Sequence, residues 1–491
     1  MRTPRGDARQ GLVLETGAAH VRIAVSGAHE LHILPNAIAR TRAGARRQVL
    51  VGDLIESECL DYGGLQLRLP VDRGLVVDWQ AQKAVWDRAI VRALGCNTDT
   101  FGALRGITVI VTEPYFLLPE QQRAFDMLLF DWYEAEAIWR TTPAQLVPYA
   151  IEPQPDALIV VDVGHSYTHA VPVVNGAALW NAAQRLDLGG RVLTHLLKVM
   201  FSYRQWNMMD ETYLIDKMKA ASCFVAARSE HLAYKRGDEP SGPPSSWSFE
   251  QFVEHFQYVR LSDVSRHPDN AMVQQYVLPD YATPDDAADP RTKYGYVLSG
   301  PPPPTQSPLP DDELDAFIAG PSCPPPRSQT GDQMLRLGQE RYQLFEYLFS
   351  PDRIGLDQAP LHELVAQSIQ RAPPDAQALL WSHVVLVGGS ARVPGLRQRL
   401  ERELRMLAPD DVPVHVYMPG DPLEAPARGA LALLHAPPTS AMAQSLEARL
   451  VTREAWRKRG AGALTPGERG GTALGDERFG GWNAVDGPSL E

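Results

Sequence analysis

The chain has 491 residues, a formal net charge of −12 and 44% hydrophobic residues. That length buries a large core and leaves room for more than one domain. The acidic balance excludes a protein that coats nucleic acid over its whole surface, and Cys59, Cys96, Cys223 and Cys323 form no CxxC pair, which excludes a zinc ribbon and fits a reducing compartment.

No apolar run approaches the ~18 residues of a membrane span, and residues 1–10 form a flexible, non-signal N-terminus. The predicted location is intracellular. The pattern then alternates strand and helix. Residues 12–14 and 21–25 predict a hairpin, 107–111 a buried strand, and 120–132 a helix with Phe125, Leu128, Leu129 and Trp132 on one face. Residues 158–161 and 170–174 predict a second hairpin, and 193–200 a helix after Gly189 and Gly190. Two proline-rich or turn-rich stretches, about 226–270 and 300–330, read as surface insertions, because proline removes backbone donors and fixes φ. An amphipathic helix is predicted over 334–349, a strand over 384–387, and a disordered tail over 460–491.

The two hairpins match. Leu-Val-Leu-Glu-Thr-Gly-Ala-Ala-His-Val-Arg-Ile-Ala-Val at 12–25 and Ile-Val-Val-Asp-Val-Gly-His-Ser-Tyr-Thr-His-Ala-Val-Pro-Val at 159–173 share apolar strand, acid, any residue, glycine, short turn, apolar strand. A duplicated half-domain with its two turns facing across a cleft follows. Gly17 and Gly164 let backbone amides curl toward an anion, and an acid at the strand end suits a hydrated magnesium. Gly388, Gly389 and Ser390 end a later strand where backbone can approach a ribose or phosphate.

This order of motifs resembles the actin, Hsp70 and sugar-kinase superfamily, and the likeness to actins runs almost end to end. Leu69-Pro-Val-Asp-Arg-Gly74, Leu186-Asp-Leu-Gly-Gly-Arg-Val-Leu-Thr194 and the Gly388-Gly389 turn followed by Pro394-Gly395 carry it. Thr112-Glu-Pro-Tyr-Phe116, Ser202-Tyr-Arg-Gln205, Tyr276-Val-Leu-Pro-Asp280, Val297-Leu-Ser-Gly300 and Val451-Thr-Arg-Glu454 resemble a nuclear subfamily of actin-related proteins, subunits of SWR-type chromatin remodellers. The resemblance implies a bilobed α/β fold with duplicated mixed-sheet halves: a small lobe over 11–155 (outer subdomain about 35–70), a large lobe over 156–421, and a return to the small lobe over 422–459. It implies nucleotide contacts from Glu15, Gly17, Arg22, Asp162, Gly164, Thr168, His169, Gly189, Lys219, Gly388, Gly389 and Ser390, with Asp162 the candidate for magnesium.

Departures from the actin pattern bear on hydrolysis. Glu15 stands for the usual Asp, Ala18 lacks the hydroxyl that would meet a terminal phosphate, and Arg22 replaces a lysine. His165 and Ser166 replace an acid and a glycine, Pro143 falls at the water-positioning Gln with Gln145 two places on, and Ala220 replaces a glutamate beside Lys219. Slow or absent hydrolysis is expected, with no catalytic residue assigned. The residues leave open whether ATP or ADP is held, with magnesium only if nucleotide is bound. His20, His195 and His383 read as packing or surface residues.

The resemblance further implies a scaffold that forms no homopolymer and helps couple the remodeller's motor subunit to the nucleosome, with a HIT-type zinc-finger protein as another partner, in the nucleus and also the cytoplasm. Arg40, Arg42, Arg46 and Arg47 are candidate contacts to DNA or an acidic histone surface, and Phe249, Phe252 and Phe256 a candidate partner face. The rival readings are an active ATPase or kinase of the superfamily and a filament-forming actin.

Overall fold

The computed structural model describes residues 10–27, 30–41, 48–96, 99–225, 274–279, 293–297 and 333–459. Arg42, Arg46, Arg47, Phe249, Phe252, Phe256, the insertions and the tail lie outside the described residues.

Two mixed sheets form the body. The first runs in the order Val451–Thr452, Ala137–Thr141, Thr108–Thr112, Gly11–Thr16, His20–Val25, His32–Pro35. The second runs Ala177–Ala178, Thr168–Val174, Ala157–Val163, Val384–Val387, Val416–Tyr417, with Gln184–Leu186 also paired to Thr168–Val174. Their central strands are near-continuous apolar runs because both faces are covered, with the acids Glu15 and Asp162 at the strand ends. Leu12 and Leu14 pack on Trp86 and Phe125, while Val13 points the other way, toward Ile110, Trp139 and Leu433. In the second sheet Ile159 and Val161 enter one core, and Leu158 and Val160 another.

The hairpins are equivalent in three dimensions. Glu15 lies opposite Arg22 in one, and Asp162 opposite His169 in the other. Gly17 N donates to His20 O at 2.9 Å, and Gly164 N to Tyr167 O at 3.0 Å. Each hairpin's first strand then has a parallel neighbour, Thr108–Thr112 in one sheet and Val384–Val387 in the other. The duplicated mixed-sheet α/β fold expected from sequence is what the chain adopts.

Two local expectations are corrected. Over 334–349 the chain makes a strand, Met334–Leu337, before a helix, Glu340–Glu346. Leu335 and Leu337 are buried at period two against Gln274–Val277, and Gly338 N donates to Glu340 Oε2 at 2.9 Å where the helix begins. The predicted helix over 120–132 is Pro119–Met127 followed by a wider π turn, Leu128–Trp132. That extra residue per turn rotates the apolar face, so Phe125, Leu129 and Phe130 are buried while Trp132 is 39% exposed.

An outer subdomain built on Ile38–Arg40, Val49–Val51 and Gln66–Arg68 bridges to the large lobe. Its small core of Ala39, Leu50, Ile55 and Tyr62 is completed by Leu214 of the helix Thr212–Ser222. Tyr62 stacks on Tyr213 at 5.3 Å and meets Tyr294 edge-on at 5.1 Å. The Glu56 carboxylate accepts from Tyr213 Oη at 2.9 Å and Lys217 Nζ at 2.8 Å, and Gly64 N donates to Glu211 at 2.9 Å.

Candidate functional site

A cavity of about 770 Å³ lies between the two sheets, and both hairpin turns open onto it. Glu15, Gly17, Arg22, Asp162, Gly164, His169, Lys219, Gly388, Gly389 and Ser390 all line it, as sequence placed them. Thr168 and Gly189 sit just behind the wall. Thr168 Oγ1 donates to Leu188 O at 2.8 Å, and a Cβ on Gly189 would lie 2.6 Å from His165 O. The absence of that Cβ lets the helix Gly190–Arg204 abut the second turn, where Gly190 N donates to Gly164 O at 3.0 Å and Arg191 N to His165 O at 2.8 Å.

In the first hairpin, buried Arg22 NH1 donates to buried Glu15 Oε1. Burial pushes the Glu15 carboxyl up to about 7 against the pull of Arg22, with nearby Asp162 adding to the rise. Glu15 Oε2 and Arg22 Nε have no hydrogen bond of good geometry. Such buried polar atoms carry a desolvation cost that a ligand can relieve. In the second hairpin, Tyr115 Oη donates to Asp162 Oδ2 at 3.1 Å. Burial raises Asp162, with Tyr115 and Arg22 opposing. Gly388 has φ +96°, and a Cβ there would lie 2.7 Å from Asp162 Oδ1 and 2.6 Å from Val163 O, so only glycine closes this approach.

His20, His165 and His169 stay neutral at physiological pH, because burial pushes them down to about 3, 4 and 3. His20 belongs to the cleft wall, whereas exposed His195 and half-buried His383, which stacks beside Tyr417, do not. Lys219 Nζ donates to Gly190 O at 3.1 Å, Thr194 Oγ1 at 2.7 Å and Asp216 Oδ1 at 2.7 Å, so its three protons are already committed within the protein. Desolvation raises Asp216, but Lys219, His165 and the Thr194 hydroxyl outweigh it and hold the carboxyl below its ordinary range.

Sequence reasoning passed over Tyr115, Asp216, Tyr167, Arg185 and Arg392 as site residues, and all line the cavity. Arg185 lies 3.5 Å above the Tyr167 ring, and Arg392 pairs with Asp421. Asp216 was legible as a partner three residues before Lys219 on a helix. Tyr115 had no such local signal, since Asp162 is 47 residues away.

The cleft fits the phosphates of a nucleotide better than it fits magnesium. Ala18, Ala19, His165 and Ser166 of the two turns line the cleft, and among the described residues their amides have no backbone acceptor, which leaves them available to an anion. Six basic and four acidic side chains line it, which favours an anion. No group of three metal-type side chains occurs among the described residues. The magnesium candidate Asp162 is already engaged by Tyr115, and Glu15 by Arg22. Pro143 lines the cleft, whereas Gln145 is turned to the hydroxyls of Thr141 and Thr142 at 3.2 and 3.3 Å.

Comparison with known proteins agrees with this architecture. The family model for Actin matches residues 6–461. Actin-like protein ARP6 of Cryptococcus neoformans var. neoformans serotype D is 33% identical over 434 residues, covering 86% of this chain and 78% of the relative. Actin-related protein 6 of Drosophila melanogaster is 31% identical, covering 84% of this chain and 89% of the relative. Actin-like protein ARP6 of Yarrowia lipolytica is 30% identical, covering 87% and 91%. A duplicated hairpin pair around one cleft, matched over most of the chain by these proteins, places it: the chain belongs to the actin family, alongside relatives named actin-related protein 6.

Proposed function

We propose that this chain is a non-polymerising scaffold subunit of a nuclear chromatin remodelling complex that exchanges canonical for variant histone, and that it helps couple the motor subunit to the nucleosome. The motor subunit and a HIT-type zinc-finger protein are its partners in this reading, in the nucleus and also the cytoplasm. Its own hydrolysis of ATP is slow or absent in this reading. A bound ATP or ADP acts as a clamp between the lobes, held by the turn amides and Arg22, with Gly388 and Gly389 admitting the ribose. Ligand at about 100 times its Kd would add ~2.7 kcal/mol to the stability of the closed form.

The observation that carries the reading is Pro143 on the cleft wall while Gln145 faces two threonines. Proline has no side-chain group to orient a water, and Ala18 has none for a terminal phosphate. Support for the scaffold role comes from the sequence blocks shared with remodeller subunits and from the outer subdomain, which is tied to the large lobe through Glu56, Tyr62 and Glu211. The test is affinity purification of the tagged chain from nuclear extract, with mass spectrometry of its partners. Recovery of a remodeller motor and a HIT-type protein is expected. Sedimentation of the pure chain as filaments under polymerising salt would contradict the reading.

A further inference from the structure

Under the two turns, both strand-end carboxylates are held by the protein's own donors. Arg22 NH1 donates to Glu15 Oε1, and its positive charge acts on Glu15 and Asp162 together. Tyr115 reaches Asp162 from a different element, the segment that follows the strand Thr108–Thr112. The Tyr115 ring is fixed by His169 at 4.5 Å and Trp180 at 6.3 Å, and Phe116 next to it sits at φ +58° and packs on Trp180 at 5.9 Å. The phenol is therefore aimed at Oδ2, while Oδ1 abuts Gly388.

A hydrated magnesium needs carboxylate oxygens free to accept from its waters, in near-octahedral geometry. Here one oxygen of each acid is engaged, and a guanidinium already lies beside the pair. The phosphate side is different. The turn residues Ala18, Ala19, His165 and Ser166 line the cleft with amides that have no backbone acceptor among the described residues, and Arg22 Nε is unpartnered. We propose that the cleft binds a nucleoside polyphosphate as the free anion, without a divalent cation: Arg22 supplies the positive charge between the two acids, and Tyr115 excludes the cation from Asp162. This rests on the nucleotide reading above.

The full chain is melted with ATP in EDTA and with ATP in magnesium, and manganese is titrated into the chain alone and followed by electron paramagnetic resonance. The proposal expects the same ATP-induced shift in both buffers and no bound manganese. Tyr115→Phe frees Oδ2, so this variant is expected to bind manganese and to bind ATP about tenfold tighter when magnesium is present. An ATP shift in the wild type that requires magnesium overturns the proposal and leaves the nucleotide reading standing. A manganese ion bound by the wild type and lost in Asp162→Asn also overturns it. No ATP shift in either buffer overturns the nucleotide reading and the proposal with it.

Discussion

Glu56 of the outer subdomain and Lys217 of the large lobe meet at 2.8 Å across the mouth of the cleft. The same carboxylate takes the Tyr213 hydroxyl at 2.9 Å, and Tyr62 stacks on the Tyr213 ring. The outer subdomain and the large lobe are joined here by a small core that neither completes alone.

This contact predicts how the outer subdomain responds to mutation. Glu56 and Lys217 are 41% and 36% exposed, so Glu56→Ala removes a screened pair and costs roughly 1 kcal/mol or less. Tyr62 is 1% exposed and central to the shared core, so Tyr62→Ala costs about 3 kcal/mol. Hydrogen exchange checks both. Amides over 48–69 exchange faster in each variant, and those of Ala157–Val163 stay protected in Glu56→Ala.

Gly388→Ala is expected to be far worse than its size suggests. The φ of +96° disfavours any side chain, and the new Cβ meets backbone at 2.6 Å, which cannot swing away. A loss of about 2 kcal/mol or more, read as a lowered denaturation midpoint, is the expected outcome. Gly389→Ala meets only Leu423 at 3.6 Å and is expected to fold normally.

Stability also depends on pH in a defined direction. Native His20, His165 and His169 resist protonation down to about 3 to 4, while the unfolded chain takes those protons near the ordinary value of 6.5. Their contribution is therefore complete above 6.5 and is lost as pH falls toward 4. Glu15 and Glu113 act oppositely, because burial raises both to about 7 and the native state keeps protons that the unfolded chain releases near 4.5. Three histidines against two carboxyls leave the unfolded state about one proton ahead near pH 5.5, a slope of roughly 1 kcal/mol per pH unit. The two sets offset each other between pH 7.5 and 6.5, so urea midpoints there should be nearly equal, the midpoint at pH 5.5 should be lower, and His169→Asn should flatten that fall.

The legible parts of this fold were those written in local pattern. The two acid-x-glycine hairpins and the Gly388-Gly389 turn each carry their chemistry within a few residues, so the cleft and ten of its candidate residues could be placed from sequence. Contacts between distant segments were not legible. The bond of Tyr115 to Asp162 spans 47 positions, and that of Lys217 to Glu56 spans 161. Helix and strand were confused at 334–337 because Met-Leu-Arg-Leu fits either period when read inside a longer window. Thr168 matched the family pattern yet serves the wall behind the cleft, bonding Leu188 O. Lys219 lines the cleft, but its donors are committed to its own lobe.

In the proposed reading the cleft clamps a nucleotide without consuming it. The most direct measurement purifies the chain, extracts any retained nucleotide, and follows added ATP by chromatography after overnight incubation with magnesium. ATP recovered unhydrolysed, together with an upward thermal shift, is the expected result. Prompt conversion to ADP, abolished by Asp162→Asn, would contradict it and return the chain to the active ATPases of its superfamily.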